Sequence, residues 1–187
     1  MPVKTRGFSL LETLIATGIS SILLLGAVRM LPALHFGVLR QTQHVVMQEE
    51  LWQLAFAIGK HLQRAGYCRG VCEGAPLSIA ADGQCVIAQW DANSNGKWDA
   101  PSSAEPEQTG YRLRDKSLET QRGALQCAGK GWEKITDPQK LRVDEFRVSP
   151  QARSGLPPLL LIRLVATPLH YGGGQINIEH SVAGYNL

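Results

Sequence analysis

The sequence predicts an α+β protein in which one long N-terminal helix packs on an antiparallel β-sheet head. Three observations predict this class. An apolar run of 21 residues, 8–28, contains one acidic and no basic residue. A second helical pattern follows it to residue 65, and from residue 67 short strand-like runs are separated by Gly, Pro, Asn and Asp. A chain of 187 residues has room for one ordinary core, so we expect one head with an appended segment.

The apolar run is long enough to span a bilayer. As a helix, 21 residues extend about 31 Å, which is the thickness of the hydrocarbon core. A cleaved secretory signal would normally have a shorter apolar core and a small-x-small exit, and neither feature is convincing here. The segment is therefore expected to remain in the mature protein. Lys4 and Arg6 precede the span while Arg29 and Arg40 follow it, so charge alone does not orient it.

The residues at the start of the span predict how the chain is processed and how it pairs with its neighbours. A basic segment ends at Gly7, Phe8 opens the apolar run, and Glu12 stands five residues into it. A carboxylate in a lipid-facing helix costs a few kcal/mol unless it is paired. Cleavage between Gly7 and Phe8 would create an α-amine four residues before Glu12. Neighbouring subunits could then pair amine with carboxylate and set their axial register.

These residues resemble the type IV prepilins and the pseudopilins of type II secretion. The resemblance covers the basic leader ending in Gly7, Phe8, Glu12 and the apolar helix to about residue 31. It implies that a prepilin peptidase cleaves after Gly7 and N-methylates Phe8, and that Glu12 recognises a neighbouring subunit. An ordinary signal anchor with a chance glutamate is the alternative, and the N-terminus of the membrane-extracted chain would distinguish the two.

The resemblance also implies a location and a role. The expected segments are a cleaved leader (1–7), a transmembrane and assembly helix (8–31), a head-packing half of that helix (32–66) and a globular β-rich head (67–187). The protein would lie in the inner membrane with its N-terminus cytoplasmic and its head periplasmic. The large, loop-rich head is similar to those of J-type pseudopilins and W-type minor pilins. Such a subunit helps to initiate, cap or assemble a type IV pilus (fimbrium) or the pseudopilus of protein secretion, with other pilin-like subunits as partners.

The second half of the predicted helix carries one apolar stripe. Pro32 interrupts the first run and is expected to kink the helix. The stripe recurs at steps of three and four and predicts a face that packs on the head; its members are Met47, Leu51, Leu54, Ala55, Ile58, Leu62 and Ala65. Gly66 is the predicted helix stop, so the helix is expected from about Phe8 to Ala65.

Five runs in the head predict strands: Cys85 to Trp90, Gly110 to Arg114, Leu141 to Ser149, Leu159 to Ala166 and Gln175 to Val182. The residues Val143, Phe146 and Val148 do not alternate strictly, which predicts a bulge or a misplaced boundary. The apolar run 159–161 predicts a central strand buried on both faces. The triple glycine 172–174 reads as a loop.

The four cysteines, Cys68, Cys72, Cys85 and Cys127, predict structural disulfides in an oxidising compartment. CxxxC spacing is neither a thiol oxidoreductase motif nor half of an ordinary zinc site. Three pairings exist. We favour Cys68 with Cys72 and Cys85 with Cys127, because a short loop leaves the distant pair to each other.

One head loop resembles the first part of an EF-hand. Asp91, Asn93, Asn95 and Asp99 occupy relative positions 1, 3, 5 and 9, with a glycine at position 6. Position 12 is Ser102 rather than a bidentate glutamate. A polar turn held by Asx hydrogen bonds is therefore favoured over a weak Ca²⁺ site, and both interpretations stay open.

Other functional classes have little support in the sequence. Removing Lys4 and Arg6 leaves 17 basic against 16 acidic residues, so no electrostatic footprint for nucleic acid remains. The histidines form no HExxH motif, and neither a GxSxG nor a Walker pattern occurs. We expect a non-enzymatic assembly subunit without a required cofactor. The alternative is a single-pass anchored binding or enzyme domain that uses the loop 91–99.

Overall fold

The structure is a computed structural model that describes residue 7, residues 9–170 and residues 174–187. Phe8 and the residues before Gly7 lie outside the described residues, as do the first two glycines of the predicted loop 172–174. The chain divides into two compact units, residues 1–42 and residues 43–187. The predicted segment boundaries at residues 7, 31 and 66 stay predictions.

The predicted helix is one element, α1, spanning Leu10–Arg64, and it continues through Pro32. It ends where Gly66 adopts a φ of +85°, a left-handed conformation that glycine accepts without a steric cost. The Gly66 N–H donates to the carbonyl of Gln89, which ties the helix end to the head. Gly66 is therefore the helix stop, as predicted.

The apolar stripe of α1 forms one side of the head core. Six of its seven predicted members are buried, and five of these, Leu51, Ala55, Ile58, Leu62 and Ala65, are 0% exposed. Leu54 is half-buried at the edge of the core. The charged residues Glu49, Glu50, Lys60 and Arg64 are exposed. Burying the aliphatic stripe while leaving the charges in water is the physical reason that this part of the helix packs on the head.

Two antiparallel sheets complete the head, where we had expected one. The five-stranded sheet has the order β1-β2-β3-β4-β5, with β1 Leu77–Ile79, β2 Cys85–Gln89, β3 Gln108–Arg114, β4 Ser117–Arg122 and β5 Glu133–Lys134. The three-stranded sheet has the order β6-β7-β8, with β6 Leu141–Arg153, β7 Leu156–Pro168 and β8 Ile176–Ala183. Isolated backbone hydrogen bonds, from Val143 to Lys116 and from Val148 to Gly83, link the two sheets. The α+β class is confirmed.

The bulge predicted in β6 is present. Val143 pairs with Ala166 and Glu145 with Val165, so Asp144 is the extra residue. β7 is the central strand of its sheet, as predicted. Its burial on both faces was overestimated, however, because Leu160 is fully buried whereas Leu159 and Leu161 are only half-buried. From Leu159 to Leu164, β7 therefore alternates in burial, as expected for a sheet with one face against the core.

Candidate functional site

Glu12 lies in the first turn of α1 and closes a capping box there. The Ser9 N–H donates to Glu12 Oε2 at 3.1 Å, and the Leu11 N–H donates to Ser9 Oγ at 3.4 Å. This reciprocal arrangement satisfies backbone donors that a helix start leaves without partners. Sequence reasoning missed Ser9, although a serine three residues before a glutamate at a helix start is the signature of this motif. Glu12 itself remains exposed.

The helix around Glu12 is apolar enough to cross a membrane. An 18-residue stretch of this helix has a mean hydropathy of 1.9, and none of its residues is buried. Three hydroxyl side chains within this region bond to carbonyls of their own helix: Thr13 to Leu10, Thr17 to Thr13 and Ser21 to Thr17, at 2.7–2.9 Å. Hydroxyls satisfied in this way add little cost in lipid. The segment thus fits a membrane anchor. Glu12 is the single charged residue in the apolar run 8–28.

Gly7 is exposed, and among the described residues no atom lies within 4 Å of a Cβ placed there. The predicted cleavage site is therefore accessible on its glycine side. Phe8, the other side of that bond and the predicted methylation position, is outside the described residues.

In the head, Asp91 organises the loop that resembles an EF-hand. The side chain is 1% exposed, and its carboxylate accepts the N–H groups of Asn95 and Gly96 at 2.9 Å and of Arg69 at 3.1 Å. Burial alone would raise the pKa of Asp91, but these backbone donors outweigh burial and hold it below its ordinary value. Asp91 therefore acts as a charged acceptor that closes the loop.

The other predicted ligands lie together around Asp99. The side-chain amides of Asn93 and Asn95 both donate to Asp99 Oδ2, at 2.8 and 2.9 Å. Glu107, which the loop pattern did not include, is 4% exposed and accepts the N–H groups of Ala92 at 2.6 Å and of Asp99 at 3.0 Å. No local motif signals Glu107, because it reaches the loop from the residue before β3.

These contacts describe a self-bonded polar turn. In the ranges that the structure describes, no group of three or more His, Cys, Asp or Glu residues has an arrangement suited to a metal ion. Ca²⁺ binding by Asp91, Asn93, Asn95 and Asp99 stays a prediction.

Cys68 is bonded to Cys72 and Cys85 to Cys127, which is the pairing that the spacing favours. The short disulfide loop lies against the Asp91 loop, since it contains the Arg69 donor. Gly70 is also packed so closely on Gly96 that an added Cβ would lie 2.7 Å from the Gly96 carbonyl oxygen. The small disulfide therefore supports the polar turn.

Comparison with known proteins addresses both parts of the chain. A family model described as prepilin peptidase-dependent protein B matches residues 40–184, and one described as a prokaryotic N-terminal methylation motif matches residues 3–28. Prepilin peptidase-dependent protein B of Escherichia coli strain K12 is 50% identical over 187 residues, which is 100% of each chain. No solved structure matched the chain. The resemblance to prepilins inferred from the sequence is confirmed.

Proposed function

Because this chain belongs to the prepilin peptidase-dependent protein B family, we propose that it is a minor pilin or pseudopilin. In this role it is a structural subunit and catalyses no reaction. It helps to initiate, cap or assemble a type IV pilus or a type II secretion pseudopilus. A type IV pilin-related role follows from the family and from the methylation motif at residues 3–28; the finer role is our proposal.

The position of Glu12 carries this proposal. It places a carboxylate on an exposed apolar helix, five residues after Gly7. Before assembly, in the single subunit, the Ser9 N–H donates one hydrogen bond to that carboxylate. A hydrogen bond from a neutral donor leaves the net charge in place, so a cationic partner further stabilises Glu12 wherever water is excluded. The α-amine of a neighbouring processed chain supplies that cation, and the pairing fixes the axial register of the two helices.

The proposed sequence of events begins in the inner membrane. A prepilin peptidase removes residues 1–7 on the cytoplasmic side and methylates Phe8, while the head is periplasmic. The apolar helix then moves from lipid into a filament, where neighbouring helices replace the acyl chains. The two disulfides support this location, since such bonds persist in oxidising compartments. The partners are other pilin-like subunits.

The test separates processing from incorporation. Glu12→Gln is compared with Glu50→Gln, an exposed acid on the same helix beyond the apolar run. We expect both variants to lose the leader, measured by intact mass. Incorporation into sheared filaments should fall about tenfold or more for Glu12→Gln, equivalent to at least about 1.4 kcal/mol of lost subunit contact. Glu50→Gln should assemble normally.

Two results would contradict the proposal: wild-type incorporation of Glu12→Gln, or an intact leader beside an active peptidase. A stable uncleaved monomer that binds Ca²⁺ in calorimetry would instead favour the anchored binding domain.

A further inference from the structure

A cavity of about 580 Å³ opens in the head beside the C-terminal part of α1. His61 of α1, Trp90 after β2, Tyr111 of β3 and Gln121 of β4 are among the side chains that line it. Small-molecule sites occupy about 300–1,000 Å³. We call this space the aromatic cavity. Its lining residues all belong to the head, between residues 61 and 133, and none of them is part of the assembly contact proposed above.

Three rings line one wall of the aromatic cavity. The centroids of Trp90 and His61 are 4.9 Å apart with a 31° tilt, and those of His61 and Tyr111 are 5.8 Å apart with a 32° tilt. The Tyr111 hydroxyl lies 2.6 Å from His61 Nδ1, which fixes both rings. Burial raises the pKa of Tyr111 to about 12, and burial together with the nearby charges of Arg64 and Lys60 lowers the pKa of His61. The wall is therefore an uncharged aromatic surface at neutral pH.

Polar groups of three kinds line the remainder of the cavity. Gln121 carries an amide that both donates and accepts, Arg122 carries a guanidinium, and Glu133 carries a carboxylate. Arg122 Nε donates to the Pro106 carbonyl at 3.2 Å, which restrains the guanidinium. Its terminal nitrogens are further donors. Gly131 accommodates the Gln121 amide, since an added Cβ would lie 2.9 Å from Gln121 Nε2.

This combination discriminates among ligand classes. Glu107 and Glu133 also line the cavity, so the single guanidinium does not create an anion site. A purely apolar ligand would cover the half-buried Gln121 amide without giving it a hydrogen-bond partner, which is costly. A sugar ring presents C–H faces that pack on aromatic rings and hydroxyls that both donate and accept at its edge.

We propose that the aromatic cavity binds a neutral saccharide, with the sugar face on Trp90 and its hydroxyls on Gln121, Arg122 and Glu133. The ligand is either a free sugar or a residue within a glycan chain, because the ring chemistry of the two is the same.

The binding test uses the full chain in an amine-oxide detergent, which has no sugar head group. Methyl β-D-glucoside and cellobiose are titrated while tryptophan fluorescence and saturation-transfer NMR are recorded. D-mannitol is the matched negative ligand, because it carries hydroxyls but no ring face. We expect saturable binding of at least one sugar and none of mannitol. Tighter binding of cellobiose than of the glucoside indicates a glycan segment, whereas equal affinities indicate a single sugar residue.

A pair of variants locates the binding. Gln121→Ala/Arg122→Ala removes polar groups of the cavity, and we expect at least a tenfold weaker affinity, as for the loss of about 1.4 kcal/mol. Arg114→Ala is the matched control, since this exposed arginine lies on β3 outside the cavity and pairs with its neighbour Asp115. The highest sugar concentration is 20 mM, about fivefold above the Kd of several millimolar expected for a weak site. The proposal is overturned if neither sugar binds at that concentration or if mannitol binds equally well. It is also overturned if the double variant binds the sugars with wild-type affinity.

Discussion

Loss of either disulfide should destabilise the head, and the loop that each one closes sets the size of the effect. Cys85–Cys127 joins residues 42 positions apart, whereas Cys68–Cys72 joins residues 4 positions apart. In the chain-entropy treatment a cross-link restricts the unfolded chain by an amount that grows with the logarithm of the loop length. At 25 °C this gives about 4 kcal/mol for the long loop and about 2 kcal/mol for the short loop. We therefore expect the long disulfide to contribute about 2 kcal/mol more to the free energy of unfolding.

Two double variants measure these contributions separately. Cys68→Ala/Cys72→Ala retains the long disulfide, and Cys85→Ala/Cys127→Ala retains the short one. Each is unfolded in urea with and without a reductant, and the difference between the two curves reports the remaining disulfide. The packing change caused by the substitutions is common to both curves and cancels. All four tryptophans lie between residues 52 and 132, so their fluorescence follows the head.

Equal contributions from the two disulfides, or a larger one from the short loop, would refute the entropic reasoning. In that case native contacts would dominate. The relevant ones are the hydrogen bond from Arg69 to Asp91 and the close packing of Gly70 on Gly96.

Three further predictions concern the head. Gly66→Ala should lower the free energy of unfolding by more than Gly155→Ala. Both glycines have a positive φ, where alanine is less stable by about 1–2 kcal/mol. Of the two sites, only at Gly66 would the new methyl group meet a backbone carbonyl, that of Asn186. Equal losses in urea unfolding would contradict this. Burial lowers the pKa of His61, so as the pH falls below about 6.5 the unfolded chain binds a proton at this histidine before the folded chain does. The free energy of unfolding should therefore be full above pH 6.5 and decline below it. A His61→Gln variant with the same pH profile as the wild type would show that His61 does not cause this decline. Leu62 is fully buried, so Leu62→Ala should lower the free energy of unfolding by about 2–5 kcal/mol. A loss below about 1 kcal/mol, outside that range, would mean that the helix stripe does not support the core.

Prediction of the elements from sequence succeeded where the pattern was long or the residue was conformationally special. The stripe from Met47 to Ala65 repeats over five turns, and Gly66 accepts a backbone that other residues resist. Three strands were missed. β1 and β5 have only three and two residues, and β4 reads SLETQR, in which polar side chains hide the alternation. Pairing with longer neighbours, rather than their own sequence, makes these segments strands.

The candidate site shows the same division. Glu12, Gly7 and the loop 91–99 were chosen from local spacing. Ser9 carried a readable capping signature that was overlooked. Glu107 could not be found in this way, because its part in the loop depends on the path of the chain between residue 99 and β3.

The sequence by itself determined the family, the apolar segment with its single carboxylate and the long helix, since each follows from the order of neighbouring residues along one element. The tertiary structure alone decided the division into two sheets, the support of the polar loop by Arg69 and Glu107, and the aromatic cavity. These features join residues tens of positions apart, such as His61 and Tyr111, and a distance of that kind arises only when the core has brought separate elements together.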